Sequence, residues 1–158
     1  MIRPLRRDDR DVLRAIVAGT GMFTDDEVAI AVELMDAVIE KPAQRDYLIR
    51  VCERDGEVEG YYCIGPTPAT QGTFDLYWIV VDARKQGKGT GRKLEEHAVA
   101  LTREMRGRLL LAETSSRPMY EQTRAFYLRR GYREVARIRE YYRLDDDLVV
   151  YAKYLTVS

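Results

Sequence analysis

Three glycines stand at alternating positions, Gly87, Gly89 and Gly91, inside the stretch VVDARKQGKGTGRKLEEHA that runs from Val80 to Ala98. Glycine costs backbone entropy and contributes no packing, so three together indicate that the main chain itself is used. The apolar run before them reads as a strand, and Leu94, Ala98, Leu101 and Met105 after them recur at helical spacing. A loop of glycines at a helix start exposes unpaired N–H groups at the positive end of the helix dipole. That is a site for an anion, most naturally a phosphate or pyrophosphate, with Gln86 and Lys88 at its sides. A Walker loop is excluded, because Lys88 is followed by Gly89 rather than Ser or Thr. A dinucleotide fingerprint fits poorly, because Arg92 stands where its third glycine belongs. A turn with no ligand stays open at this point.

The elements that must carry this loop are legible in the pattern. MIRPLR reads as a short edge strand, since Pro4 is tolerated there. DDRDVLRAIVAG reads as a first helix ending at Gly19. Thr24 and Glu27 stand in capping-box positions for a second helix with Val28, Val32, Met35 and Ile39 on one face, ended by Pro42. DYLIRVCER and EVEGYYCIG read as strands joined by a turn at Asp55 and Gly56, and PTPATQG is a loop before the strand TFDLYWIVV. A helix over 89–106 follows, then a buried strand RLLLAETS and a helix MYEQTRAFYLRR stopped by Gly131. YREVARIREYYRL and LVVYAKYLTV close the chain as a hairpin across Asp145, Asp146 and Asp147. The sum is an α/β chain with a mixed sheet, about seven strands and four helices, because strand-helix-strand crossovers and hairpins both occur.

At 158 residues, 46% hydrophobic and 33% charged, the chain is expected to form a single domain over residues 1–158. Lys plus Arg and Asp plus Glu both number 26, and this balance argues against a nucleic-acid partner. Cys52, Cys63 and the single His97 lack metal-ligand spacing, so no metal is expected and the cysteines read as buried thiols of a reducing compartment. No apolar run approaches a membrane span and none resembles a signal peptide, which predicts a cytoplasmic protein without a membrane partner.

The segment from Val80 to Ala98 resembles the acyl-CoA loop of the Gcn5-related N-acetyltransferase (GNAT) superfamily, Gln/Arg-x-x-Gly-x-Gly/Ala after a strand, filled here by Gln86, Gly89 and Gly91. TRAFYLRRGYRE is similar to the family's later helix, with Phe126, Tyr127, Gly131 and Tyr132 in place, and the order of elements agrees from Ile2 to Leu155. The resemblance implies a GNAT-like fold with splayed central strands, acetyl-CoA as cosubstrate and acetyl transfer to an amine. It implies that main-chain groups of Gln86, Gly87, Lys88, Gly89, Thr90 and Gly91 hold the pyrophosphate, that Arg92 and Lys93 assist the adenosine phosphates, and that Trp78, Ile79, Val80 and Val81 line the pantetheine arm. Tyr127 is implied as the acid that protonates the leaving thiolate.

Two carboxylates compete as the base: Asp75, eleven residues before Gln86, and Glu113 at the end of the fifth strand. Tyr120 stands where many members carry an Asn that binds the pantetheine, and Ser115 and Ser116 lie in a loop longer than in compact members. An oxyanion donor is expected at Val80 or Val81, on a strand bulge. The acceptor is expected between the first two helices and the terminal hairpin, walled by Met22, Phe23, Tyr141 and Tyr142, with Asp25, Asp145 or Asp147 drawing an ammonium. The implied function is acetylation of a primary amine of a small metabolite or amino-acid-like compound by direct attack in a ternary complex, in a monomer or homodimer. A protein N-terminus or lysine as acceptor, and a CoA-binding sensor without turnover, are the alternatives.

Overall fold

The computed structural model describes residues 1–155. β1 (Ile2–Pro4) leads through helices α1 (Asp9–Gly19) and α2 (Asp25–Glu40) into a meander of β2 (Leu48–Arg54), β3 (Glu57–Pro66) and β4 (Thr73–Val81). Helix α3 (Thr90–Glu104) crosses to β5 (Leu109–Ser115), and helix α4 (Glu121–Arg129) leads to the hairpin β6 (Arg133–Arg143) and β7 (Asp146–Tyr154). Thr156 and Val157 of the expected last strand lie outside the described residues. The sheet order is β1-β2-β3-β4-β5-β7-β6, and among the described residues β4 and β5 are the one parallel pair.

Local chemistry sets most element ends. Thr24 accepts from the Glu27 amide at 3.2 Å while the Glu27 carboxylate accepts from the Thr24 amide at 2.9 Å, closing the capping box of α2. The buried stripe of that helix is Val28, Ala31 and Met35; Val32 and Ile39 of the expected face are only half-buried. The Asp55–Gly56 turn has positive φ at both residues, which suits the twist of a tight hairpin. Two apolar clusters sandwich the sheet. One, beneath α1 and α2, contains Leu13, Val17, Met35, Val51 and Val80; the other, beneath α3 and α4, contains Leu94, Ala98, Leu110, Tyr127 and Tyr151. Ile79 and Val81 pack on the second cluster and Trp78 on the first, so the unbroken apolar run of β4 has both faces covered.

The ladder between β4 and β5 is short. Thr73, Phe74 and Asp75 pair with Leu109, Leu110 and Leu111, and pairing then stops although both strands continue. On its other side β4 stays paired with β3 through Val81, with a register break that leaves Tyr77 as the extra residue between Leu76 and Trp78. The bulge is thus at Tyr77 rather than at Val80 or Val81. It lies just past the last pair with β5, where a bulge bends the strand away and opens a seam between the two central strands.

Candidate active site

The seam widens into a cavity of about 770 Å³ that runs from the glycine loop to the α1–α2 connection. Main-chain geometry builds its first end. Gly89 is the N-cap of α3 with φ 81°, and Gly87 has φ 78°; a Cβ at either would meet nothing within 4 Å, so the space above the loop is open. Among the described residues, the amides of Gly87, Gly89, Thr90, Gly91 and Arg92 donate to no protein acceptor, and the first bond of the helix runs from Lys93 to the Gly89 carbonyl. These free donors at the start of a 15-residue helix fit a diphosphate. Gly91 packs against Phe126 and Val81, joining the loop to α4 and β4. Thr90 is buried and donates to Glu59 of β3 at 2.8 Å, which anchors the loop to the sheet.

Further along the cavity lie Trp78, Ile79, Val80 and Val81 of β4, Glu113, Thr114 and Ser115 of β5, and Tyr127 of α4. Tyr127 is clamped by its neighbours. Its ring lies 5.2 Å edge-on from Tyr132, 5.6 Å edge-on from Phe126 and 5.6 Å stacked on Tyr151. Burial, and then the nearby Glu95 charge, push its phenol well above the ordinary value of 10, so it stays protonated through the neutral range. Glu113 is exposed on its strand but loses part of its hydration to the cavity walls, and this partial desolvation first, with the charge of Asp75 second, raises it above 4.5.

Asp75 itself is a paired strand residue outside the cavity lining, and its carboxylate accepts from the Thr67 hydroxyl at 2.7 Å. Tyr120 lines the cavity, but its hydroxyl donates to the Met22 carbonyl at 2.8 Å, tying the start of α4 to the α1–α2 connection. Phe23 lies edge-on to Trp78 at 5.1 Å and forms the wall at this end with Met22 and Tyr142. The Tyr142 phenol is pushed up to about 12, chiefly by burial and then by Glu113.

Gln86, Gly87, Gly89, Thr90, Gly91 and Arg92 all line the cavity, whereas Lys88 is exposed outside it. Tyr141 is exposed and packs edge-on against Tyr142 at 5.0 Å, outside the cavity lining. Asp25 sits in the first turn of α2, and Asp147 accepts from the Glu140 amide at 2.9 Å and pairs with Arg137. It is Asp146, beside Asp147 and 2% exposed, that reaches the cavity, because alternation along β7 turns it inward. Ser115 donates to Asp146 and Ser116 accepts from the Asp147 amide, so both serines fasten the loop to the hairpin. Sequence reasoning missed Thr123 and Arg130; they stand four before and three after Tyr127, and that helical spacing was the available signal.

Residues 45–134 match the family model of the acetyltransferase (GNAT) domain. The chain belongs to this family. A GNAT-family protein of Desulfovibrio desulfuricans is 39% identical, with 98% of each chain covered and a TM-score of 0.94. A 5-NmdU N-acetyltransferase of Pseudomonas phage PaMx11 is 39% identical over 84 residues, 53% of this chain and 56% of that protein, so the match spans about half of that relative's length. An N-acetyltransferase of Thermoplasma acidophilum in complex with coenzyme A shares the fold, with a TM-score of 0.77, 12% identity and 98% of each chain covered. The mixed seven-stranded sheet with its splayed central pair is the fold of this family. No helix among the described residues is long and apolar enough to cross a membrane, and no cluster there groups three metal-ligating side chains.

Proposed function

We propose that this protein is an acetyl-CoA-dependent N-acetyltransferase that acetylates a primary amine of a small metabolite or amino-acid-like compound by direct attack in a ternary complex. One observation carries the reading: a single cavity joins the free amides of the glycine loop, the open edge of β4, Tyr127 and Glu113. The amides from Gly87 to Arg92 would grip the pyrophosphate, and the β4 edge beyond the bulge would align the pantetheine as a further strand. Acetyl-CoA supplies an activated acyl group on sulfur. The phage relative's name adds that the acyl group goes to nitrogen.

An alkylammonium with a pKa of ~10.4 must lose a proton before it attacks, and of the cavity-lining carboxylates Glu27, Glu113 and Asp146 it is Glu113 that is engaged by no other side chain or amide among the described residues. Tyr127, held protonated by burial, donates the proton that the departing thiolate needs. The test is release of free thiol from acetyl-CoA with a panel of primary amines. Tyr127→Phe is expected to lower kcat by roughly 10²-fold or more, within the usual range for general-acid loss. Turnover equal to wild type from pH 7 to 9 would remove Tyr127 as the acid.

A further inference from the structure

The cavity wall holds four guanidinium groups besides Arg117, and three of them are paired. Arg92 pairs with Glu96, Arg130 with Glu95 and Glu96, and Arg143 with Asp146; Arg129 has no partner among the described residues but is exposed to solvent. Arg117 differs from all of them. It is half-buried, lines the cavity, and among the described residues its guanidinium has no acidic partner and no hydrogen bond.

Its main chain is nevertheless held firmly. The Arg117 amide donates to Ser115 Oγ at 3.1 Å, and Arg124 Nη1 donates to the carbonyls of Ser115 at 2.7 Å and Arg117 at 2.9 Å. The Ser116 amide donates to the Asp147 carbonyl at 3.0 Å, and the Asp147 amide to Ser116 Oγ at 2.8 Å. Pro118 follows and confines Arg117 to extended backbone, observed at φ −62° and ψ 149°. A fixed stem presenting an unpaired guanidinium into a cavity is prearranged to receive a planar or tetrahedral anion.

The carboxylates of the same wall are not free to take that role internally. Asp146 is engaged by Ser115 and Arg143, and Glu27 by the Thr24 amide. Glu113 remains, four residues before Arg117 on the same continuous segment. Among the described residues the cavity wall therefore offers Glu113 as an unpaired negative group and Arg117 as its half-buried unpaired positive group. We infer that the acceptor is an amine that also carries a carboxylate or phosphate group, and that Arg117 binds that group. The inference deepens the acetyl-transfer reading and rests on it for the position of the amine beside Glu113.

The experiment titrates two matched pairs into the protein saturated with coenzyme A, by calorimetry: 4-aminobutyrate against butylamine, and O-phosphoethanolamine against ethanolamine. In at least one pair the anionic member should bind about tenfold to a hundredfold more tightly, as a charge-assisted contact gives, and the pair showing it tells carboxylate from phosphate. Arg117→Gln should abolish the preference and Arg117→Lys should keep part of it. Equal or tighter binding of both neutral amines, no binding by any of the four, or a preference that survives Arg117→Gln overturns the inference. Thiol release from acetyl-CoA with the same amines separates the two ideas. Thiol release at equal efficiency for neutral and anionic amines removes the role of Arg117 and leaves acetyl transfer standing; an Arg117-dependent preference without thiol release does the reverse.

Discussion

Glu113 and Asp75 are two carboxylates whose environments differ, and the difference separates their roles. Glu113 faces the cavity and its carboxyl is raised by burial and by Asp75, while Asp75 sits in the ladder with Leu111 and accepts from Thr67. If Glu113 is the base, its unprotonated form is the active one, so the acid limb of kcat/KM rises with pH through a value above 4.5. Removing the Asp75 charge lowers the Glu113 pKa. Asp75→Asn is therefore expected to move that limb to lower pH without bringing it back to the ordinary carboxylate value, since burial is the larger cause and remains. Glu113→Gln should lower the plateau by roughly 10²-fold. A pH-rate profile of each variant checks both statements, and the opposite pattern, with Asp75→Asn inactive and Glu113→Gln active, would make Asp75 the base.

At the scale of elements, β4 is the part on which the site depends, and Gly60 of β3 shows how closely it is held. A Cβ on Gly60 would stand 2.4 Å from the Val80 carbonyl oxygen and 3.1 Å from Val81 Cα. Both contacts are main chain and cannot rotate away. Gly60→Ala is expected to cost about 1–3 kcal/mol in a denaturant melt and to weaken coenzyme A binding together with it, because the displaced strand is the one that faces the seam. How much of this was legible in advance follows from the range of each signal. The capping box of α2, the Asp55–Gly56 turn and the Gly131 stop with φ 88° depend on residues within one turn of chain, and they stand where the sequence predicts. The glycine loop is of the same kind. The bulge at Tyr77 was not legible, because it is a property of register against β3. The partners of Ser115, Ser116 and Tyr120 were hidden for the same reason, since they lie 31 residues and more away along the chain.

In the molecule as a whole, Glu95 ties three elements together at one buried point. It is 0% exposed on α3 and accepts from Arg130 after α4 at 3.0 Å and from Lys153 of β7 at 2.8 Å. Lys153 also lies 5.3 Å above the Tyr132 ring, which in turn braces Tyr127. Glu95→Ala leaves Lys153 without its acceptor and Arg130 with Glu96 alone. Each is about one-fifth exposed and regains some water, so the expected loss is about 3 kcal/mol, at the low end for a broken buried ion pair, measured by urea unfolding. The seam between β4 and β5 has a consequence of a different kind. Beyond Asp75 and Leu111 the two strands present bare polar edges to each other's side, and such edges invite pairing with another chain. Preparations stripped of coenzyme A should clump on warming sooner than loaded ones. A ligand at a hundred times its Kd adds about 2.7 kcal/mol to the folded state, so the proposed cosubstrate would double as a preservative of the protein.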